Sequence, residues 1–332
     1  MQTLLLTAPY MIPSKQRFIP VFEHFGLDVI APEVEERMEE DDILKYAGKF
    51  DATICGDDQY SRRVLEKCSP RLKVISKWGT GIDSIDQKAC LELEIQLKNT
   101  PNAFNLPVAD TIISYMLAFA RRQPWMDREM KMGEWHKIPG RSLSECTLGV
   151  IGLGNIGKAV IRRARGFGMK ILGNDIIPIA PDFILENKVE MVSLKELLQR
   201  ADFVSMNTDL NPTSHHLMNQ QTLAWMKSTA VLINTSRGPV IDQQALVKAL
   251  REKWIAGAAM DVLETEPIHR NDPLMQMDNV ILTPHSAYYS DEADIRLRIS
   301  VAQESARIAQ GHFPRNYVNK DVKPKFKLTK EG

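Results

Sequence analysis

The sequence predicts an α/β protein made of two parallel-sheet units. Three observations carry this. The 332 residues are enough for about two domains. Short apolar runs alternate with amphipathic stretches, first over the opening hundred residues and again after residue 146. The second series opens on a glycine-rich turn between an apolar run and a helix-like stretch. Apolar runs bounded by turn residues suit strands buried on both faces, and the amphipathic stretches between them suit crossover helices, which together make a parallel sheet.

In the first unit, "TLLLTA" (3–8), "LDVIAP" (27–32), "DATICG" (51–56) and "LKVISKWG" (72–79) are the expected strands. "SKQRFIPVFEHFG" and "QYSRRVLEKCS" are expected helices, and "VADTIISYMLAFARRQ" (108–123) a long apolar one. "CTLGVIGLGNIGKAVIRRARGFGMKILGNDIIP" (146–178) starts the second series. It continues in "DFVSMN" (202–207), "AVLINTS" (230–236), "IAGAAMDV" (255–262) and "NVILTPH" (279–285). No internal repeat and no low-complexity segment interrupts them. The lysine-spaced tail after Lys320 reads as solvated coil.

Charge narrows the function classes. Lys plus Arg and Asp plus Glu both number 42, so no net basic field favours nucleic acid or an anionic membrane as the main partner. Cys55, Cys68, Cys90 and Cys146 are far apart, with no CxxC, which fits reduced thiols in a cytoplasmic protein and not a disulfide framework or a zinc site. "MQTLLLTAPYMIPSK" lacks a basic start, and its apolar run is too short for a signal peptide or a span, so it reads as a first strand. A metal-dependent hydrolase using His215 and His216 is disfavoured, because adjacent residues do not point to one ion.

"GVIGLGNIG" holds Gly152, Gly154 and Gly157 in G-x-G-x-x-G spacing, after a strand and at the start of a helix. A second strand, "KILGND", ends in Asp175, 18 residues beyond Gly157. That is the context of a dinucleotide site. The glycines allow a tight turn and a close approach by a pyrophosphate, and the helix start through Asn155 and Ile156 offers N–H groups and partial positive charge. Asp175 suits ribose hydroxyls and opposes a 2′-phosphate, and Ile176 and Ile177 offer that phosphate no cation. NAD is therefore expected over NADP, with no metal.

Three polar groups follow apolar runs in the second unit: Arg237 after "VLIN", Glu266 in "DVLETEP" and His285 in "VILTPH". Singly, each is compatible with a surface ion pair, a loop charge or a turn. Together, at strand ends of an open parallel sheet, they suit one reaction. An arginine holds a carboxylate, a histidine protonates a carbonyl oxygen, and a glutamate favours the imidazolium.

These segments, with "GTGIDSID" (79–86), "NTPNAFNLPVAD" (99–110), "NTSRGPVID" and "GEW" (133–135), resemble the D-isomer-specific 2-hydroxyacid dehydrogenase family, in the phosphoglycerate and glycerate dehydrogenase manner; the tail "GHFPRNYVN" also fits. The resemblance implies two Rossmann-like/flavodoxin-like parallel-sheet domains, the cofactor domain (105–289) inserted into a substrate domain (1–104 plus 290–332). It implies NAD-dependent interconversion of a 2-oxo acid and a D-2-hydroxy acid, with Arg237 on the substrate carboxylate and His285, paired with Glu266, as acid/base. Thr80, Thr208, Thr235, Ser236 and Asp261, with Arg237 and His285, match positions at the dinucleotide. Lys77, Trp78 and Gly79 match positions at the substrate. The segment 121–146, with Trp125 and Trp135, matches one that wraps a partner subunit, so a homodimer is expected. Departures are Leu263 where an aromatic is common, Ser286 after the histidine, and "SMNTDLNP" without the histidine often found there.

The family's phosphoglycerate enzymes place an arginine after the third strand, where this chain aligns Gly56, Asp57 and Asp58. Two readings stay open: the aspartates face the substrate and repel a phosphate, or they cap the next helix and face water. Trp78 is expected to add bulk beside the backbone that holds the carboxylate. The chain ends without a C-terminal regulatory domain, so feedback control of that kind is not expected. The alternative function is an NAD-binding interaction scaffold, since "TPHSAYYSDEA" resembles the C-terminal binding protein corepressors.

Overall fold

The computed structural model describes residues 2–290 except Phe25, together with Val318 and Asp321. The remaining tail, with most of "GHFPRNYVN" and of the stretch after Lys320, lies outside the described residues. The chain divides into two compact units, Met1–Phe104 with Ser290–Gly332, and Asn105–Tyr289.

The first unit holds five parallel strands: β1 (Gln2–Leu6), β2 (Leu27–Ile30), β3 (Ala52–Cys55), β4 (Val74–Lys77) and β5 (Gln96–Lys98), in the order β2-β1-β3-β4-β5. That is a flavodoxin-like order. The expected helix over "SKQRFIPVFEHFG" is split into a 3-10 turn, Ile12–Arg17, and a short helix, Ile19–His24. Strand β5 is additional to the expected four. Its Gln96 and Lys98 are buried polar residues, so the run lacks the apolar signature of its neighbours.

The second unit holds seven parallel strands: β6 (Thr147–Ile151), β7 (Lys170–Asn174), β8 (Val189–Met191), β9 (Phe203–Met206), β10 (Val231–Asn234), β11 (Gly257–Met260) and β12 (Val280–Leu282). Their order is β12-β11-β10-β9-β6-β7-β8, the Rossmann arrangement with one more strand on the β12 edge. The order reverses between β6 and β9, and that switch point is where such sheets bind ligands. Only β8 was not expected, a three-residue edge strand too short to show a period. The central β9 and β10 are buried throughout, as continuous apolar runs in parallel sheets should be.

The helix Asn105–Arg121 buries Val108, Ala109, Ile112, Tyr115, Met116 and Phe119, one stripe at helical spacing, and packs on the helix Asn155–Gly166. The four cysteines are buried free thiols, and burial pushes the Cys68 thiol up to about 11 and the Cys90 thiol to about 12. Among the described residues no helix is long and apolar enough to cross a membrane.

Candidate active site

The glycine turn joins β6 to the helix Asn155–Gly166, on one side of the switch point. Gly152 has φ +87°, and a Cβ there would stand 2.7 Å from the Asn207 carbonyl oxygen. A Cβ on Gly157 would stand 2.1 Å from the Gly152 oxygen. Gly152 must be glycine for conformation and packing, and Gly157 for packing alone. Gly154 differs: a Cβ there meets nothing within 4 Å, so its crowding-free side faces open space. No side chain caps the helix that follows, and Asn155 is exposed at its start. Across the switch point, Thr208 lies two residues beyond β9, its backbone N within 3.1 Å of the same Gly152 position. Its hydroxyl is buried with no hydrogen-bond partner among the described residues.

Asp175 follows β7. Its Oδ2 accepts the Leu153 N–H at 2.6 Å and its Oδ1 accepts the Ile177 N–H at 2.9 Å, which fixes the carboxylate against the glycine turn. Ile176 and Ile177 beside it are exposed. An open glycine, an uncapped helix start, an orphaned hydroxyl and a fixed carboxylate fit a pyrophosphate flanked by ribose. These residues would hold NAD.

Arg237, Glu266 and His285 stand beyond the carboxyl ends of β10, β11 and β12, three neighbouring strands. Glu266 Oε2 meets His285 Nδ1 at 2.9 Å, and Glu266 Oε1 accepts the Leu263 N–H at 2.8 Å, so the carboxylate is oriented from its own loop. Arg237 Nη1 donates to the Ser236 carbonyl at 2.8 Å. A Cβ at Gly238 would overlap the Leu263 carbonyl, at 1.8 Å, so the glycine after Arg237 lets its loop lie directly on the glutamate loop. Spacing alone does not reveal that contact.

Two further residues organise these loops. Asn234, fully buried at the end of β10, donates through Nδ2 to the Arg237 carbonyl at 2.9 Å, and its Oδ1 accepts both the N–H and the hydroxyl of Ser236. In the sequence Asn234 reads as the last residue of an apolar run, and its polar side chain there is the one signal of this role. The family resemblance implies Asp261 at the dinucleotide. In the structure it is 2 % exposed, and its carboxylate accepts from Thr283 Oγ1, Ser286 N and Ala287 N, so it holds the loop of His285. Thr235 is half-buried beside Ser236.

The first unit separates the paired aspartates, and the reading that both cap the next helix and face water does not hold. Asp58 neither faces solvent nor caps a helix; the next helix, Arg62–Cys68, has Ser61 at its N-cap. Asp58 is fully buried, accepting from Thr7 Oγ1 at 2.6 Å, Met38 N at 2.5 Å and Gly56 N at 3.2 Å. Burial pushes its carboxyl up to about 6. Asp57 Oδ1 lies 3.0 Å from Lys77 Nζ, a nearly buried cation that also donates to the Trp78 carbonyl at 3.0 Å. Trp78 packs into an aromatic cluster. Its ring is 4 % exposed, stacked on Tyr10 at 4.9 Å and tilted against Phe104 at 5.5 Å. Its bulk is taken up by the aromatic cluster.

Gly79 has φ +125°, and its N–H donates to Thr100 Oγ1 at 3.0 Å. Thr80 Oγ1 donates to the Thr100 carbonyl at 3.2 Å. Thr100 thus ties this turn together, a role without a local sequence signal. His215 and His216 stack at 4.1 Å, and His216 Nε2 meets Glu264 Oε1 at 2.6 Å.

Comparison with known proteins identifies the family. Residues 113–287 match the family model of the "D-isomer specific 2-hydroxyacid dehydrogenase, NAD binding domain". A glyoxylate reductase of Korarchaeum cryptofilum is 39% identical over 307 residues, covering 90% of this chain and 91% of the relative. A D-3-phosphoglycerate dehydrogenase of Methanocaldococcus jannaschii is 38% identical over 96% of this chain but only 60% of its own length. Among solved structures, a D-lactate dehydrogenase of Aquifex aeolicus, complexed with NAD and lactic acid, superposes with a TM-score of 0.85 at 27% identity over 98% of this chain and 100% of that one.

Proposed function

The chain belongs to the D-isomer specific 2-hydroxyacid dehydrogenase family, and from that premise we propose that Arg237, Glu266 and His285 carry the interconversion of a 2-oxo acid and a D-2-hydroxy acid. It is an NAD-dependent oxidoreductase acting on a CH–OH group. The observation that carries the residue assignment is the 2.9 Å contact between Glu266 Oε2 and His285 Nδ1. A carboxylate only accepts, so Nδ1 bears a proton, and the proton exchanged with substrate belongs to Nε2.

When bound, NADH supplies the hydride that reaches the 2-oxo carbon. His285, starting as the imidazolium, delivers its Nε2 proton to the carbonyl oxygen, giving the hydroxyl and leaving the neutral ring. Glu266 stabilises the charged ring before transfer and fixes its orientation throughout. Arg237 takes the substrate carboxylate, with Asn234 holding its loop. Asp175 takes the ribose hydroxyls, and the turn Gly152–Gly157 with Thr208 the pyrophosphate side. In this reading Asn105–Tyr289 is the cofactor domain, and residues 1–104 with 290–332 form the substrate domain, which carries Lys77, Trp78, Gly79 and Thr80.

The same reading includes a cytoplasmic homodimer. The helix Gln123–Lys131 buries none of its residues, and Met130, Met132 and Trp135 are exposed, apolar surface that a second copy would cover. The alternative of a scaffold resembling the C-terminal binding protein corepressors is not favoured, because the matched relatives are named as reductases and dehydrogenases.

The test is NADH oxidation against glyoxylate, pyruvate, hydroxypyruvate and 3-phosphohydroxypyruvate. Turnover of at least one, abolished in His285→Gln, is expected. NADH binding without turnover of any would overturn the assignment.

A further inference from the structure

His285 has φ +48°, the left-handed region, which a residue bearing a Cβ keeps only when its surroundings hold it there. What holds it is Asp261. The His285 N–H donates to the Asp261 carbonyl at 2.8 Å, and the N–H groups of Ser286 and Ala287 donate to the two oxygens of its carboxylate, both at 2.9 Å. The carboxylate must therefore stay in place for the histidine to do so.

Thr283 Oγ1 also donates to Asp261, at 2.5 Å from Oδ1. A carboxylate can only accept, so the single hydroxyl proton of Thr283 is directed at Asp261. Toward Tyr115, whose hydroxyl makes a short contact with the same Thr283 oxygen, Thr283 then accepts and the phenol donates. Burial raises the Tyr115 phenol above its ordinary range, which keeps that proton in place. Tyr115 lies on the helix Asn105–Arg121. One turn earlier on that helix, Thr111 Oγ1 donates to the Ala287 carbonyl at 3.1 Å. The helix thus holds the loop at residues 283 and 287, with His285 midway between.

We propose that Tyr115 is a positioning residue for His285, acting through the relay Tyr115 to Thr283 to Asp261. This rests on the reading of His285 as the acid/base. Successive donation in one direction polarises each hydroxyl and strengthens the next bond, so loss of the first donor is felt at the carboxylate.

Tyr115→Phe keeps the ring and removes the donor. With saturating NADH and the best 2-oxo acid, kcat should fall about three- to tenfold, while Kd for NADH changes by less than about twofold. Deuterium exchange over residues 283–289 should quicken, with β6 as the unchanged internal reference. Thr283→Val breaks the relay one link further on, and the double variant should lose no more than Thr283→Val alone. Thr283→Ser, which keeps the hydroxyl, should retain wild-type kcat and exchange, and Thr283→Ala, which removes it, stands in if the valine variant does not fold. Unchanged kcat and exchange in Tyr115→Phe, or losses that multiply in the double variant, would overturn the proposal. If the wild type turns over no 2-oxo acid, the proposed function falls, and the exchange of residues 283–289 still decides whether Tyr115 holds this loop.

Discussion

Lys77 and Asp57 are paired at 3.0 Å, with the lysine side chain only 4% exposed and the aspartate 41% exposed. The pair cancels the charge of Lys77, and the carboxyl of Asp58 lies close by, so the ends of β3 and β4 offer no net positive charge to a phosphorylated substrate tail. Hydroxypyruvate should therefore have a higher kcat/KM than 3-phosphohydroxypyruvate. Asp57→Asn removes the carboxylate paired with Lys77 and should move that ratio about three- to tenfold toward the phosphorylated acid. A ratio unmoved by this substitution separates Lys77 from the substrate tail.

Asp58 should govern the stability of the first unit. Asparagine in its place presents an amide NH2 toward backbone or hydroxyl donors, so Asp58→Asn should cost about 1–3 kcal/mol. The pH dependence has a definite sign. The carboxyl is raised from 3.8 to about 6 by burial, so the folded state favours its protonated form. Thr7 Oγ1 accommodates that form by turning its proton to the Ile54 carbonyl, 3.3 Å away, and accepting from the carboxyl. The stabilisation is complete below about pH 4 and is lost as pH rises through about 6. Denaturant melts of wild type and Asp58→Asn across this range should show the wild-type advantage shrinking toward neutrality.

Asp175→Ala should weaken NADH about ten- to a hundredfold and narrow its advantage over NADPH, because hydrogen bonds from two ribose hydroxyls to a fixed carboxylate are lost together with the repulsion of a 2′-phosphate. Fluorescence titration with both nucleotides measures it. Equal wild-type affinity for the two would remove Asp175 from this role.

His285→Gln should lower kcat by about 10²–10⁴-fold with NADH affinity retained, the usual range for a lost general acid. Glu266→Gln removes the charge that favours the imidazolium, so the pH at which reduction is half lost should move downward. A pH–rate profile identical to wild type would mean that the 2.9 Å contact has no part in proton transfer.

The cofactor-domain surface predicts association. Trp135 is 77% exposed and close in sequence to the exposed Met130 and Met132. Light scattering at micromolar concentration should give a dimer, and Trp135→Glu should shift it toward monomer. A monomeric wild type would exclude this interface.

The sequence by itself determined most of the elements, the glycine turn, Asp175 and the three strand-end side chains. These are legible because they are local. Apolar runs report burial on a sheet, and a fixed glycine spacing reports a turn whose neighbours leave no room for a Cβ at Gly152 and Gly157. Gln96–Lys98 escaped because its polar side chains are buried, and Val189–Met191 because three residues show no period.

Only the tertiary structure decided what the polar groups of the site are bound to. Asp57 and Asp58 are neighbours in sequence, yet one pairs with Lys77 on the next strand and the other is enclosed by Thr7, Met38 and Gly56. Tyr115 reads as one more apolar position in a helix, and its partner Thr283 is 168 residues away. Asp261 matches a cofactor position by motif, while its carboxylate is engaged by the backbone around His285. Periodicity tells which face of an element a residue occupies. The partner of a buried donor or acceptor is set by which distant segment folds against that face, and an unpaired buried group is costly enough that the choice is made by the whole fold.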